Sequence, residues 1–274
     1  MEFRTIVNIP SVAWQIPPCE KLLFVGSCFA DKLGLRFQQE QFRANVNPYG
    51  VMYNPASILH TVERWLAEGG EVPNVAVFTL GTNHVYILKE TGEIVDNCQK
   101  RPQRLFDEQQ LSVEECEEYL ERAIRLLRNA NADVKVILTV SPIRYRKYGY
   151  HGSQLSKATL HLAVGRLADK GAADYFPAYE ILVDELRDYR FYADDMLHPS
   201  AQAVEYIYER FAKTYFSEAT EAFLKEWHPI AAALAHKPFN PDGEEYKEFM
   251  RKTMQKVDCL SKKYPNFAFK NKKQ

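Results

Sequence analysis

Asp195 and His198 stand three residues apart ahead of a predicted helix, and they have the types and spacing of an acid–base pair. A histidine that acts as a general base needs one ring nitrogen facing the nucleophile and the other held by a partner. An aspartate three residues earlier in a turn can reach that second nitrogen. Ser27, at the end of a predicted strand, would complete a set of nucleophile, base and orienting group. Because D-x-x-H is also frequent in ordinary loops, its chemistry depends on where the fold places Ser27.

Three apolar stretches indicate buried strands, and each ends in small or polar residues. In open parallel sheets, ligands bind outside the carboxyl ends of the strands, so all three endings are expected on one rim. That convergence favours a site that includes Ser27. The three endings are Gly26-Ser27, Gly81-Thr82-Asn83 and Thr139-Val140-Ser141.

Segments with helical periodicity lie between these strands. The clearest is 113–128, which follows a capping-box signal formed by Ser112 and Glu115. Apolar strands that alternate with amphipathic helices predict an α/β fold with a mainly parallel sheet covered on both faces. The alternation stops near Phe216. We therefore expect one domain over 1–216 and a helical C-terminal extension over 217–274.

Two further elements are expected within the domain. A hairpin is indicated at 85–95, where two short apolar runs flank Glu90-Thr91-Gly92. A helix is indicated at 153–169. The residues expected on or near one face of this helix are Leu155, Thr159, Leu162 and Leu167.

Composition excludes several classes of protein. Of the 274 residues, 46% are hydrophobic and 13% aromatic, which is too many for wholesale disorder. Lys and Arg number 35 and Asp and Glu 36, and this near-balance argues against a nucleic-acid binder. No apolar run approaches the ~18 residues of a membrane-spanning helix, and the N-terminus lacks the pattern of a secretory signal. A cytoplasmic protein without a membrane partner is therefore expected.

The five cysteines show no C-x-x-C pairing, which indicates neither a zinc ribbon nor a disulfide framework. His84 and His151 lack partners at metal-site spacing, so no metal is expected. Cys28 is interpreted first as a small buried hydrophobe, although its place beside Ser27 leaves a thiolate nucleophile as an alternative. The cysteines are Cys19, Cys28, Cys98, Cys116 and Cys259.

The segment Gly26-Ser27-Cys28-Phe29-Ala30 spells G-S-C-F-A and resembles the name motif of the GSCFA proteins, a branch similar to the SGNH (GDSL-like) hydrolases. The resemblance extends from about Leu22 to about Pro241. Several matching segments in order are more specific than any single one. These segments are NPYGVMYNP (47–55), TLGTNHVY (79–86), NCQK (97–100), TVSPIR (139–144) and YADDMLHPS (192–200).

This resemblance implies a three-layer α/β/α fold of the SGNH type and a serine esterase. Ser27, matched to the serine of the GDS motif, would be the nucleophile, His198 the base and Asp195 the residue that orients His198. The implied reaction removes an O-acyl group such as acetyl from a small-molecule or carbohydrate ester through an acyl-serine intermediate, with no cofactor. Two alternatives stay open: an O-acyltransferase with the same Ser-His-Asp residues, and an inactive ligand-binding module. The oligomeric state is not predicted.

The resemblance also implies donors for the oxyanion of the tetrahedral intermediate. One is the backbone N–H of Ser27, and a second is Gly50. Asn83 corresponds to the asparagine of a G-x-N-D segment, but this match is partial because His84 stands in place of the aspartate. Asn47 is the alternative to Asn83.

Two of these residues also have plainer interpretations. Ser27 could simply cap the helix that follows it. Arg144 begins a basic stretch with interleaved tyrosines, 144–148, which is interpreted first as a solvated loop or a lid rather than a nucleic-acid patch. If that loop covers the site, Arg144 would bind an anionic or sugar-bearing substrate.

Overall fold

The computed structural model describes residues 3–96, 98, 101–267 and 269. Asn97 and Lys100, which belong to one segment of the family resemblance, lie outside the described residues. The strands in chain order are β1 (Lys21–Gly26), β2 (Arg43–Val46), β3 (Val75–Leu80), β4 (His84–Leu88), β5 (Ile94–Val95), β6 (Phe106–Gln110), β7 (Lys135–Val140) and β8 (Asp174–Tyr175). Five of them form a parallel sheet with the order β2-β1-β3-β7-β8.

Helices connect and cover these strands. They are α1 (Cys28–Gln39), α2 (Pro55–Ala67), α3 (Val113–Ala130), α4 (Gly149–Asp169), α5 (Ala178–Glu180), α6 (Ala201–Tyr215), α7 (Glu218–Ala235) and α8 (Glu244–Lys263). The single turn α5 continues into a π-helical turn, Ile181–Leu186. Among the described helices, none combines the length and the apolar character needed to cross a bilayer.

Alternate residues of the central strands face opposite cores. Phe24 and Val77 pack with α1 and α6 on one face of the sheet, whereas Val25 and Phe78 pack with α2, α3 and α4 on the other. Side chains of a strand alternate between faces, so an apolar run with no polar alternation is buried on both. The predicted three-layer α/β/α fold with a mainly parallel sheet is confirmed.

The C-terminal helices α7 and α8 pack on the α1 side of the sheet. Trp227 and Val257 belong to the same core as α1, and Trp227 Nε1 donates a hydrogen bond of 3.0 Å to the carbonyl of Gln39. The predicted helical C-terminal extension is therefore present. The expected domain boundary at 216/217 falls in the turn between α6 and α7, and it stays a prediction because both sides of it share this core.

A second sheet, antiparallel with the order β5-β4-β6, is inserted between β3 and α3. The hairpin expected at 85–95 supplies β4 and β5. The sequence does not predict β6, because only Phe106 in this strand is buried and the residues after it are polar and exposed. A strand without an apolar face gives no periodic signal.

The buried face of α4 differs from the expected one. Leu155 and Leu162 are 55% and 58% exposed, whereas Ser156 and Lys157 are buried. The helix also begins at Gly149, four residues earlier than expected. Its first turns lie over the ends of β3 and β7, where carbonyl and amide groups need polar partners, so a hydroxyl and an ammonium fill this space in place of leucines.

Candidate active site

The turn from β1 into α1 requires a glycine. Gly26 has a φ of +149°, and a Cβ atom at this position would lie 2.2 Å from the carbonyl oxygen of Thr79. Ser27 then caps α1, because its Oγ accepts a hydrogen bond of 3.2 Å from the N–H of Phe29. Cys28 is the first residue of the helix, so its side chain leaves the rim of the sheet next to the cap.

The hydroxyl of Ser27 is enclosed by other strand endings. It is fully buried, donates to Ser141 Oγ at 2.8 Å, and lies 3.1 Å from Thr79 Oγ1. The backbone N–H of Ser27 also donates to the carbonyl of Thr79 at 3.0 Å. These contacts, together with the cap of α1, agree with the plainer interpretation in which Ser27 has a structural role.

The side chains of Cys28, His198 and Asp195 form a line of polar contacts. His198 Nε2 lies 3.1 Å from Cys28 Sγ, and His198 Nδ1 lies 2.5 Å from Asp195 Oδ2. The other carboxylate oxygen of Asp195 accepts hydrogen bonds from the backbone N–H groups of Leu197 and His198, at 2.9 Å and 3.0 Å. A thiol, an imidazole and a carboxylate in this order can serve as a nucleophile, a base and an orienting group.

The structure therefore brings together only part of the predicted set. Asp195 lies against His198 Nδ1, but the other ring nitrogen faces Cys28 instead of Ser27. The reason is local: an N-cap hydroxyl must turn back toward the N–H groups of the first turn, which leaves the next side chain free to face the histidine.

Arg144 holds the loop that carries Asp195 and His198. Its backbone N–H donates to the carbonyl of Leu197 at 3.0 Å, and its Nη1 donates to the carbonyl of Met196 at 3.1 Å. The guanidinium also lies 4.2 Å from the ring centre of Tyr150. These contacts give Arg144 a positioning part in the loop, whereas a contact with substrate stays a prediction.

The charges around the site act in opposite directions on the thiol. Burial, the largest effect, raises the pKa of Cys28 above its ordinary value, while its own backbone N–H and the charges of Lys32 and Lys157 lower the pKa of this thiol. The N–H groups of His198 and Leu197 hold the pKa of Asp195 well below its usual range. The thiol is thus protonated at rest and needs a base, while the carboxylate that orients the base stays ionised.

The predicted oxyanion donors are already engaged inside the protein. The N–H of Gly50 donates to the carbonyl of Asn47 at 2.8 Å, and Asn83 Nδ2 donates to the carbonyl of Leu111 at 2.7 Å. Asn47 Oδ1 accepts from the N–H of Gly26 at 2.8 Å, and its Nδ2 donates to Asp31 at 2.6 Å. Each of these hydrogen bonds builds the loops of the rim, and a part for these groups in binding an oxyanion stays a prediction.

Lys157 is a further buried charge that sequence reasoning does not identify. It is 2% exposed, and its Nζ donates to the carbonyls of Gly81 and Ser141, both at 2.8 Å. Burial lowers the pKa of this lysine to about 7, and the charge of a Cys28 thiolate raises it. A lysine in an amphipathic helix normally indicates a solvated face, so only the tertiary structure reveals it beneath the site.

Two family models match this chain. The model of the GSCFA family matches residues 21–72 and 70–211, and the model described as the C-terminal domain of GSCFA domain proteins matches residues 227–274. Together these matches span most of the chain. None of the curated proteins matches it.

Solved structures similar to this chain are distant. A GDSL-like lipase from Bacteroides thetaiotaomicron is 16% identical, with 77% of this chain and 92% of that chain covered and a TM-score of 0.44. A catalytic mutant of an acetylxylan esterase from Geobacillus stearothermophilus is 14% identical, with 74% and 97% covered and a TM-score of 0.44. A carbohydrate esterase family 3 protein from Talaromyces cellulolyticus is 11% identical, with 76% and 99% covered and a TM-score of 0.43. Similarity at this level carries no argument about the activity of this chain.

Proposed function

The chain belongs to the GSCFA family, and we propose that it is an acyl-ester hydrolase whose nucleophile is the thiol of Cys28. One observation carries the proposal: His198 Nε2 lies 3.1 Å from Cys28 Sγ while His198 Nδ1 is held by Asp195. A base within hydrogen-bond reach of a nucleophile, itself oriented by a third group, is the arrangement that activates a weak nucleophile. Ser27, whose hydroxyl is bound among buried hydroxyls, takes a structural part in this proposal.

The reaction follows from these positions. His198 Nε2 accepts the thiol proton as Cys28 Sγ forms a bond to the carbonyl carbon of the ester, and the π electrons of the carbonyl move onto its oxygen. The tetrahedral intermediate collapses, the bond to the alcohol oxygen breaks, and His198 returns the proton to the departing alcohol. The product on the enzyme is a thioester of Cys28.

Water completes the cycle. His198 accepts a proton from a water molecule as that water attacks the thioester carbonyl, and the second intermediate releases the carboxylic acid while Cys28 regains its proton. Asp195 stabilises the imidazolium that forms in both halves of the reaction, because its ionised carboxylate accepts a hydrogen bond from the Nδ1–H group. We place the acyl group on an oxygen of a small molecule or carbohydrate, the substrate class that the family resemblance implies, with acetyl as the first candidate.

A thiol nucleophile also favours a second candidate, acyl transfer to an acceptor other than water. The intermediate at Cys28 is a thioester, which amines, thiols and alcohols can attack in place of water. The acceptor that enters the site then decides between hydrolysis and transfer. The bonded line of Cys28, His198 and Asp195 argues against an inactive binding module, which has no need of it.

Loss of a single thiol tests the proposal. We expect Cys28→Ala to abolish turnover of p-nitrophenyl acetate and Cys259→Ala, which removes an exposed thiol on α8, to leave the rate unchanged. Iodoacetamide should inactivate the wild type in proportion to alkylation of Cys28. Full activity in Cys28→Ala would contradict the proposal.

A further inference from the structure

Attack of Cys28 on an acyl carbonyl develops negative charge on the carbonyl oxygen, and that charge needs hydrogen-bond donors. The donors implied by the family resemblance are engaged elsewhere, as described above. The backbone N–H of Cys28, the first residue of α1, donates to no other described residue, and its contact with the residue's own thiol lowers the pKa of that thiol. A single backbone donor is less than such a site needs, so the surrounding side chains must supply further hydrogen-bond donors to the oxyanion.

Tyr53 lies across the ends of two central strands. Its carbonyl accepts hydrogen bonds from the N–H groups of Gly81 and Thr82, both at 2.8 Å, just after β3. A Cβ atom at Gly81 would come within 3.0 Å of the Tyr53 ring, so the missing side chain leaves room for the ring over this strand end. The neighbouring Met52 donates its N–H to the carbonyl of Gly26 at 2.8 Å, which places this segment beside the turn that leads to Cys28.

Tyr145 approaches the same place from the end of β7. Its ring stands edge-on to the Tyr53 ring, with centroids 5.9 Å apart and an interplanar angle of 77°. It also stacks on Tyr148 at 5.5 Å, which fixes the ring from behind. Because the preceding residue, Arg144, binds the loop of His198, Tyr145 lies between the strand end and the catalytic histidine loop.

The two phenol hydroxyls lie within the electrostatic reach of the thiol. Within the described part of the chain, neither hydroxyl has a hydrogen-bond partner, whereas Tyr148 lies 3.3 Å from the hydroxyl of Tyr86. Burial raises the pKa of Tyr145 to about 12 and also raises that of Tyr53, and a charged Cys28 raises both further. Both groups are therefore protonated at neutral pH and feel a negative charge at Cys28. Both side chains are half-buried, and neither hydroxyl is among the buried atoms that lack a partner, so water or a ligand can reach them.

We propose that the hydroxyls of Tyr53 and Tyr145, together with the backbone N–H of Cys28, bind the carbonyl oxygen of the acyl group as it becomes an oxyanion. This inference rests on the proposed role of Cys28. In the step concerned, the Sγ–carbon bond forms, the thiol proton passes to His198, and the carbonyl π electrons become the lone pair that the three donors receive. The site therefore selects acyl carbonyl compounds, and the two tyrosines are catalytic residues.

An aldehyde tests this site without knowledge of the natural substrate. The thiol of Cys28 adds to propionaldehyde to give a thiohemiacetal: the sulfur–carbon bond forms, and the carbonyl oxygen becomes an oxyanion that takes the thiol proton from His198. The adduct blocks alkylation of Cys28 by iodoacetamide, which needs the thiol but no oxyanion donor. The concentration of propionaldehyde that halves the alkylation rate therefore reports on the donors.

Tyr53→Phe and Tyr145→Phe each remove one hydroxyl and keep the ring. We expect each to raise the half-protecting aldehyde concentration by at least about tenfold, and to lower kcat for p-nitrophenyl acetate by about 10²-fold with KM nearly unchanged. Tyr148→Phe is the matched control, since it removes a neighbouring hydroxyl that already has a partner, and should change neither value. Alkylation without aldehyde should stay within about twofold of wild type in all three variants, because the nucleophile and its base are intact.

If the propionaldehyde concentration that halves the alkylation rate were the same in both Tyr→Phe variants as in the wild type, the inference would be overturned. Cys28 would still be the nucleophile. Slower alkylation without aldehyde in these variants would also overturn the inference, because the rings would then position the thiol rather than bind the oxyanion. Failure of iodoacetamide to modify Cys28 in the wild type would instead contradict the proposed function itself.

Discussion

Ser27 and Ser141 share a hydrogen bond of 2.8 Å in the buried floor of the rim, one residue away from the thiol that faces His198. This bond joins the ends of β1 and β7. Adjacent residues in one motif thus have separate parts: Ser27 ties the strand ends together and caps α1, while Cys28 presents a reactive group.

This division predicts the outcome of Ser27→Ala. The variant should lose about 1–2 kcal/mol in free energy of unfolding, because the helix cap is removed. Its turnover of p-nitrophenyl acetate should stay within about tenfold of wild type, since the line of Cys28, His198 and Asp195 is intact. Urea unfolding and steady-state kinetics measure the two effects. Complete loss of turnover with an unchanged fold would return the nucleophile to Ser27.

Asp195→Asn should preserve the shape of the loop and damage the chemistry. An amide oxygen can still accept the N–H groups of Leu197 and His198, but it cannot stabilise the imidazolium or fix the tautomer of His198. We expect kcat to fall by about 10²–10⁴-fold. Steady-state kinetics of Asp195→Asn measures this fall in kcat, and Asp194→Asn, which changes the neighbouring carboxylate, is the control. Equal effects of the two variants would mean that Asp195 has no specific part.

Lys157 should make stability depend on pH in a defined direction. Its pKa is lowered to about 7 in the folded protein and is about 10.4 when the chain is unfolded. Between these values the unfolded chain binds more protons, so stability rises with pH by up to about 1.4 kcal/mol per pH unit. Below the folded value both states are protonated and this contribution is constant.

Lys157→Met measures that contribution, because other titrating groups largely cancel in the difference. Urea titrations at pH 7 and pH 9 give the free energy of unfolding of both proteins. Between these pH values it should increase more in the wild type than in Lys157→Met. If the free energy of unfolding changed equally in the two proteins between pH 7 and pH 9, Lys157 would not titrate in the folded state. The charge of Lys157 also lowers the pKa of Cys28 and of His161, so the difference between the two proteins includes this coupling.

Asn47 should be needed for the geometry of the turn before Cys28. Its side chain joins the N–H of Gly26 to the carboxylate of Asp31, and its backbone has a positive φ of 40°. Asn47→Ala leaves the buried N–H of Gly26 without a partner, which should cost about 1–3 kcal/mol of stability. Asn47→Asp, which keeps the acceptor but places two carboxylates in contact, should also be destabilised at neutral pH and recover as the pH falls. Thermal unfolding at pH 5 and pH 8 distinguishes the two variants, and unchanged stability of Asn47→Ala would contradict this role.

Much of the fold follows from local sequence signals. Strands β1, β3 and β7 are uninterrupted apolar runs, and α3 begins at a capping box, so periodicity and capping suffice to place them. The pairing of Asp195 with His198 is equally local, because three residues of a turn determine it. β6 has no apolar face, and the buried face of α4 follows the polar strand ends above which it lies, so neither appears in a pattern of hydrophobicity.

The candidate site is harder to predict, because it depends on the direction in which each side chain points and not only on the position of the residue in the sequence. The sequence places Ser27 and Cys28 at the same strand end, but only the helix cap determines which side chain meets His198. Asn47 and Gly50 are on the rim as expected, yet their hydrogen-bonding groups close the loop on itself. The two tyrosines come from segments about ninety residues apart in sequence, and no local signal joins Tyr53 to Tyr145.

The site of acylation tests the central claim most directly. Enzyme mixed with p-nitrophenyl acetate is quenched in acid, where a thioester is stable, digested with pepsin and mapped by mass spectrometry. We expect acetyl on Cys28, released by neutral hydroxylamine, present in Ser27→Ala and absent from Cys28→Ala. Acetyl on Ser27, resistant to neutral hydroxylamine and retained in Cys28→Ala, would contradict the claim.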